Sequence, residues 1–308
     1  MSRRRTAVRL ALVGFGALAA RGALAGLRRA SNAHDWDRTN FRGRAVSLAG
    51  GPAVAAAATL SAAAGAGSGH GAAAALIAGG GAGAVGWYDD IVGGRPEHQA
   101  KGFRGHLAAL RDGRVTSGLV KIVGVGVAGL VAAALVEARS GERRGRLRAA
   151  VNVALGGGVI AGTANLVNLL DLRPGRALKA GTVAATAMIA GPAGGLVAGP
   201  LGAAIAVLPA DLAEEVMLGD AGANAYGALI GLAVATRTGP WRRAALLAGL
   251  GALTATSEKV SFTKVIEATP VLREIDALGR RSDVRDSGGA EAAGRADTGP
   301  DAEPPTHG

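Results

Sequence analysis

AVSLAGGPAVAAAATLSAAAGAGSGHGAAAALIAGGGAGAVGWY, residues 45–88, contains no Asp, Glu, Lys or Arg. A helix needs about 20 apolar residues to cross a bilayer core, so this stretch is long enough for one or two crossings. Two further uncharged stretches, Ala149 to Leu170 and Ala180 to Ala210, have the same character. The second is interrupted by Gly191-Pro192-Ala193-Gly194-Gly195, which predicts two short helices joined by a tight turn.

Whole-chain composition agrees with this local reading. Of 308 residues 51 are Gly, 19% are charged, 49% are hydrophobic and 3% are aromatic, and mean hydropathy is +0.28. Soluble domains carry about a quarter charged residues and about 7% Gly. So apolar a chain does not stay solvated as an open coil, which excludes disorder for most of it. The glycines follow no three-residue period, which excludes collagen. Having no cysteine, the chain has no disulfide, thiolate nucleophile or Cys-ligated metal. Its net charge of +11 is what basic loops beside apolar spans produce. With aromatic stacking platforms scarce, no nucleic-acid partner is expected.

The fold class expected is all-α: a polytopic helical integral membrane protein with about nine transmembrane helices. The spans fall near 7–27, 46–66, 70–88, 115–137, 148–170, 174–190, 193–210, 222–236 and 242–256. Residues 1–278 form one transmembrane domain, and 279–308, rich in Gly, Asp, Arg, Ser, Pro and Glu, form a disordered tail. Small residues throughout the spans suit close helix packing in lipid. Segments 28–45, 89–114, 171–179, 211–221 and 257 to the end share one side and carry 20 of the 34 basic residues; the other side carries 12. The first side is therefore assigned as cytoplasmic in a multi-pass plasma-membrane protein. A signal peptide is an alternative reading of Arg3 to Arg5 and the apolar run after them, against which Arg21 stands.

Polar residues at span ends gather on that cytoplasmic side. They are Asp89-Asp90, Lys101, Lys121, the stripe Asn165, Asn168 and Asp171 at a spacing of three, and Gly219-Asp220. Each has a structural alternative: a solvated helix end for the acidic pair, interhelical hydrogen bonds for the asparagines, snorkelling for Lys121, and an ordinary turn at Gly219. Taken together, carboxylates and lysines at one membrane face suit phosphates and a hard divalent cation. Magnesium takes one or two carboxylates plus substrate phosphates. Four carboxylates and two lysines supply that chemistry, and glycines near Asp220 admit phosphate close to the backbone.

These residues, in this order, resemble the polyprenyl-phosphate N-acetylhexosamine-1-phosphate transferases, a family that includes the phospho-N-acetylmuramoyl-pentapeptide and undecaprenyl-phosphate N-acetylglucosamine-1-phosphate transferases. The resemblance runs through Arg42-Gly43-Arg44, Gly50-Gly51-Pro52, Asp89-Asp90, Lys101-Gly102, Lys121, Asn165-x-x-Asn168-x-x-Asp171 and Gly219-Asp220-Ala221-Gly222. It implies transfer of a sugar-1-phosphate from a UDP-sugar to polyprenyl phosphate with release of UMP, in cell-envelope glycan or peptidoglycan synthesis. It further implies Mg2+, with Mn2+ as a substitute, bound by Asp220, and Asp89, Asp90 and Asp171 as catalytic carboxylates. Lys101, Lys121, Asn165, Asn168 and Gly219 would contact substrate. The partners implied are the lipid phosphate, the UDP-sugar and the membrane, and a homodimer is compatible with them. Two features depart from the family. No histidine lies between Ser257 and His307, where the family carries a His-rich motif, and Asp171 is followed by Leu172-Arg173-Pro174-Gly175-Arg176. A catalytically silent member that binds lipid phosphate or scaffolds envelope enzymes is the alternative, and a transporter is a third reading.

Overall fold

The computed structural model describes residues 3–30, 32–40, 42–98, 102–139 and 145–281. The chain is helical almost throughout. α1 (Arg3–Arg28) is followed by a short hairpin, β1 (Asp37–Thr39) and β2 (Ala45–Ser47), paired antiparallel with Arg38 opposite Val46. Next come α2 (Gly50–Gly65) and α3 (Gly69–Ala75), then a π-helical turn (Leu76–Gly81) that runs on into α4 (Ala82–Val92). Thereafter lie α5 (Gly102–Arg111), α6 (Ser117–Arg139), α7 (Arg146–Leu170), α8 (Arg176–Ile189), α9 (Gly194–Leu212), α10 (Gly219–Arg237), α11 (Pro240–Ser257), α12 (Phe262–Ala268) and α13 (Pro270–Ala277).

Every one of the nine apolar windows contains a helix. Among the described residues four helices, α1, α6, α7 and α9, are long and apolar enough to cross a membrane. The break at 191–195 separates α8 from α9 as the Gly-Pro sequence predicts. The expected disordered tail falls almost wholly outside the described residues, which end at Arg281.

Local sequence explains several boundaries. Ser68 caps α3 by accepting the Gly71 N–H at 3.1 Å. Pro240 opens α11, where its missing N–H is no loss. α10 is the central helix: nearly every residue from Gly219 to Ala235 is buried, and it packs against α7, α4 and α2. α1 and α2 pack on α9, where small side chains allow close approach of the backbones.

The ends of the helices separate into two groups. At one end Arg9 of α1 donates to the carbonyls of Ala190 and Gly191 in the α8–α9 turn, at 3.0 and 2.7 Å. There Asn152 also donates to Glu137 at 3.1 Å, while Arg243 donates to the Ala235 carbonyl. At the other end the five segments assigned to one side contact one another. Arg28 pairs with Glu215, Arg38 with the Asp90 carbonyl, Gly175 with Asp211 and Arg173 with Glu267.

Candidate functional site

The acidic cluster is built on the N-terminus of α10. Gly219 has φ +59, a left-handed conformation that favours glycine. A Cβ there would also lie 3.0 Å from both Asp90 carboxylate oxygens. In the absence of that Cβ the Asp90 side chain reaches in from α4 and accepts the N–H groups of Asp220 and Ala221, each at 2.9 Å. The first N–H groups of a helix lack intrahelical partners and carry partial positive charge, so a carboxylate is well placed there. Asp171, just past the end of α7, accepts the N–H of Gly219. Burial, and after it the negative fields of Asp211, Asp220 and Asp90, hold the Asp171 carboxyl well above the usual carboxylate range.

Asp89 and Asp220 face each other beside this cap. The Lys121 ammonium lies between them, 2.5 Å from Asp89 Oδ2 and 2.7 Å from Asp220 Oδ2. The two carboxyl groups are themselves in hydrogen-bond contact, and the Ser117 hydroxyl also bonds to Asp89. Lys121 is able to reach because it lies about one turn into α6, whose start is anchored by Thr116 accepting the Leu119 N–H at 3.3 Å. Gly86 is a second glycine required by geometry. A Cβ on it would overlap the backbone of Asp220 and Ala221, so only glycine lets α4 approach α10 this closely.

Of the residues picked from sequence, Asp89, Asp90, Lys121, Asp171, Gly219 and Asp220 therefore come together. Lys101 lies outside the described residues. Asn165 is engaged elsewhere, donating to Thr254 of α11 at 3.0 Å, which is the interhelical role open to it from the start. Asn168 sits one turn before Asp171, and its carbonyl accepts the Asp171 N–H at 3.0 Å.

Sequence reading missed Ser117 and Asp211. The Thr116-Ser117 pair before an apolar run is a recognisable helix start and was the available signal for Ser117. Asp211 is 3% exposed and accepts the Gly175 N–H at 2.7 Å, tying the α7–α8 connection to α9. A second ionic cluster was also missed. Arg176 of α8 makes a two-pronged contact with Asp276 of α13, at 2.7 and 3.0 Å. Arg280 adds a third contact to Asp276 at 2.6 Å. Burial alone would raise the Asp276 pKa, but the hydrogen bonds from Arg176 and Arg280 outweigh it and hold the carboxyl below its ordinary value.

Comparison with known proteins adds no assignment. No protein-family model, curated protein or solved structure matches the chain.

The cluster's donors are carboxylate oxygens, the kind a hard divalent cation prefers. Among the described residues no group of three or more His, Cys, Asp or Glu is arranged to enclose a metal. Magnesium, however, needs only one or two carboxylates, with water and phosphate completing its shell. Asp89 and Asp220 are the two carboxylates such an ion could use, and the Lys121 ammonium now occupies the space between them.

Proposed function

We propose that the chain is a membrane-embedded phosphoglycosyl transferase that moves a sugar-1-phosphate from a UDP-sugar to polyprenyl phosphate. The observation that carries the reading is the Lys121 ammonium bridging Asp89 and Asp220 at a helix end where Asp90 and Asp171 also converge. Four acids gathered around one amine concentrate carboxyl oxygens at one place, a donor set that suits a divalent cation bringing phosphates with it.

Asp220 and Asp89 would hold Mg2+, or Mn2+ in its place. When bound, the metal neutralises charge on the transferring diphosphate. An oxygen of the lipid phosphate attacks the β-phosphorus of the UDP-sugar. The bond from that phosphorus to the bridging oxygen breaks, UMP leaves with the electron pair, and a lipid-linked sugar diphosphate forms. Lys121 would neutralise phosphate charge, with Lys101 assigned the same role. Asp90 and Asp171 would fix the start of α10, and so keep Asp220 in place. Positioning and charge neutralisation account for most catalysis of such transfers, so no serine or thiol nucleophile is required.

In this reading all nine helical windows cross the plasma membrane, and the acidic cluster faces the cytoplasm, where nucleotide sugars are found. The four helices of sufficient length and apolarity and the gathering of the basic-rich segments at one end support it. Its test is reconstitution with undecaprenyl phosphate, Mg2+ and UDP-N-acetylglucosamine or UDP-N-acetylmuramoyl-pentapeptide. UMP release that stops on chelation is expected. A folded preparation that releases no UMP with either sugar nucleotide overturns the proposal.

The second reading is a catalytically silent member of the same family that binds lipid phosphate. It is favoured by the histidine-free stretch from Ser257 to Arg281. It requires Asp220→Asn to leave cellular function intact, and loss of function with that variant counts against it.

A further inference from the structure

The hairpin β1–β2 is an unexpected element, and it touches both acid-bearing helices. On the α4 side, Trp36 immediately before β1 stacks edge-on against Trp87, with centroids 5.4 Å apart and planes at 87°. Arg38 of β1 donates to the Asp90 carbonyl at 3.3 Å. On the α10 side, β2 grips the connection that leads into the helix. Ser47 N–H donates to the Glu215 carbonyl at 3.3 Å, and Met217 N–H donates to the Ser47 carbonyl at 2.9 Å. Three residues after Met217 comes Asp220.

The turn of the hairpin is locked to the same connection through Glu214. Asn40 arranges the turn by accepting the N–H groups of Arg42 and Arg44 on its side-chain oxygen, at 2.8 and 3.0 Å. Its amide nitrogen is left to donate to Glu214 Oε2 at 2.7 Å, and Arg42 pairs with Glu214 Oε1 at 2.8 Å. The Glu214 side chain is 1% exposed. Among the described residues Glu214 is the one non-glycine with positive φ, at 57°. The left-handed backbone closes the end of α9, where the Glu214 N–H donates to the Asp211 carbonyl and the Glu215 N–H to the Ala210 carbonyl, each at 3.0 Å; the hairpin holds the glutamate side chain that this turn projects.

We propose that the hairpin is a clasp holding the acidic ends of α4 and α10 at their working separation, with Glu214 as its positioning residue. Neither Glu214 nor Asn40 contacts the acidic cluster; they act through the path of the 213–218 connection. The effect on turnover rests on the transferase reading above, whereas the clasp itself is a matter of geometry and has its own readout.

That readout is the Trp36–Trp87 pair. Two indoles this close give an exciton couplet in circular dichroism, and the only other tryptophan, Trp241, is removed by working in a Trp241→Phe background. The full chain in detergent is compared with Glu214→Ala, Glu214→Gln and Asn40→Ala, with Trp36→Phe marking the signal without the pair. Glu214→Ala is expected to lose at least half of the couplet while helix content is kept, and to lower kcat for UMP release about tenfold or more. Glu214→Gln, which still accepts from Asn40, is expected to restore most of both. If Glu214→Ala fails to fold, Asn40→Ala carries the test with the same expectation. An unchanged couplet in the folded variants overturns the clasp. An altered couplet with unchanged kcat overturns its positioning role. Absence of UMP release from the parent chain overturns the transferase reading instead, and the couplet alone then decides the clasp.

Discussion

Two ionic clusters lie at the same end of the molecule and are built in opposite ways. Around Lys121, acids outnumber bases: Asp89 and Asp220 share one ammonium, while Asp90 and Asp171 lean on backbone N–H groups of α10. Around Asp276, bases outnumber the acid, and Arg176 and Arg280 meet its carboxylate with direct contacts of 2.6 to 3.0 Å. The second cluster is closed, since both oxygens of the Asp276 carboxylate are met directly by guanidinium groups. The first is open, since four acids gather there around a single ammonium and rely for the rest on backbone N–H groups and on burial that holds Asp171 above the usual carboxylate range. A closed cluster fastens α13 to α8; the open one is where the proposed transferase would bind its cation and phosphates.

The comparison breaks most readily at its open member. Asp220→Asn should lower UMP release by about a hundredfold to a thousandfold, the scale of losing one preorganised charged group. Its melting temperature in detergent should hold or rise, because one of two acids in contact has been neutralised. A large drop in melting temperature would show that the cluster is structural after all. Next in size, Gly86→Ala should reduce both release and melting temperature, because its Cβ has no room against the Asp220 backbone.

The closed cluster should respond the other way. Arg176→Ala removes two of the three contacts to Asp276 and leaves it paired with Arg280, which should cost about 2 kcal/mol of stability, measured by denaturant unfolding, with a smaller effect on the Mg2+ dependence of release. The pH response follows from the lowered Asp276 pKa. Its contribution is fully present above the ordinary carboxylate value of 3.8 and is lost as pH falls through the lower folded value. Asp276→Asn should therefore flatten the melting-temperature profile below about pH 4 and leave it parallel to the parent above. Smallest of all, Thr254→Val should remove only the Asn165 contact, at about 0.6 kcal/mol, and leave release unchanged. A tenfold loss of release would put Asn165 back beside the substrate.

Much of the open cluster was legible in the sequence. Apolar length placed helices in all nine windows, and the charge-free stretches left Asp89, Asp90, Asp171 and Asp220 at helix ends on one side. The closed cluster was not, because α12 and α13 are short helices of alternating character with no long apolar window to announce them. Its partners are about 100 positions apart, at Arg176 and Asp276, where helical spacing has no reach. The hairpin was missed for a related reason: two strands of three residues lie below any periodic signal. For Asn165 the spacing identified the stripe but not the neighbouring helix that the stripe meets. Glu214 was hidden because the left-handed residue that ends α9 is a glutamate, where a sequence reading looks for glycine or asparagine.

The π turn at Leu76–Gly81 bears on where Asp89 and Asp90 point. A wider turn is in effect one residue inserted into an α-helix, and it advances everything downstream by about 100°. The acid pair owes its bearing toward α10 to a phase shift introduced two to three turns earlier. Gly-Ala sequence is almost free of side-chain preference there, so it accepts the shift where a patterned helix would resist. Deleting any one residue from this turn would leave every acid, lysine and helix in the chain, yet swing Asp89 and Asp90 about a quarter-turn away from Lys121 and Asp220.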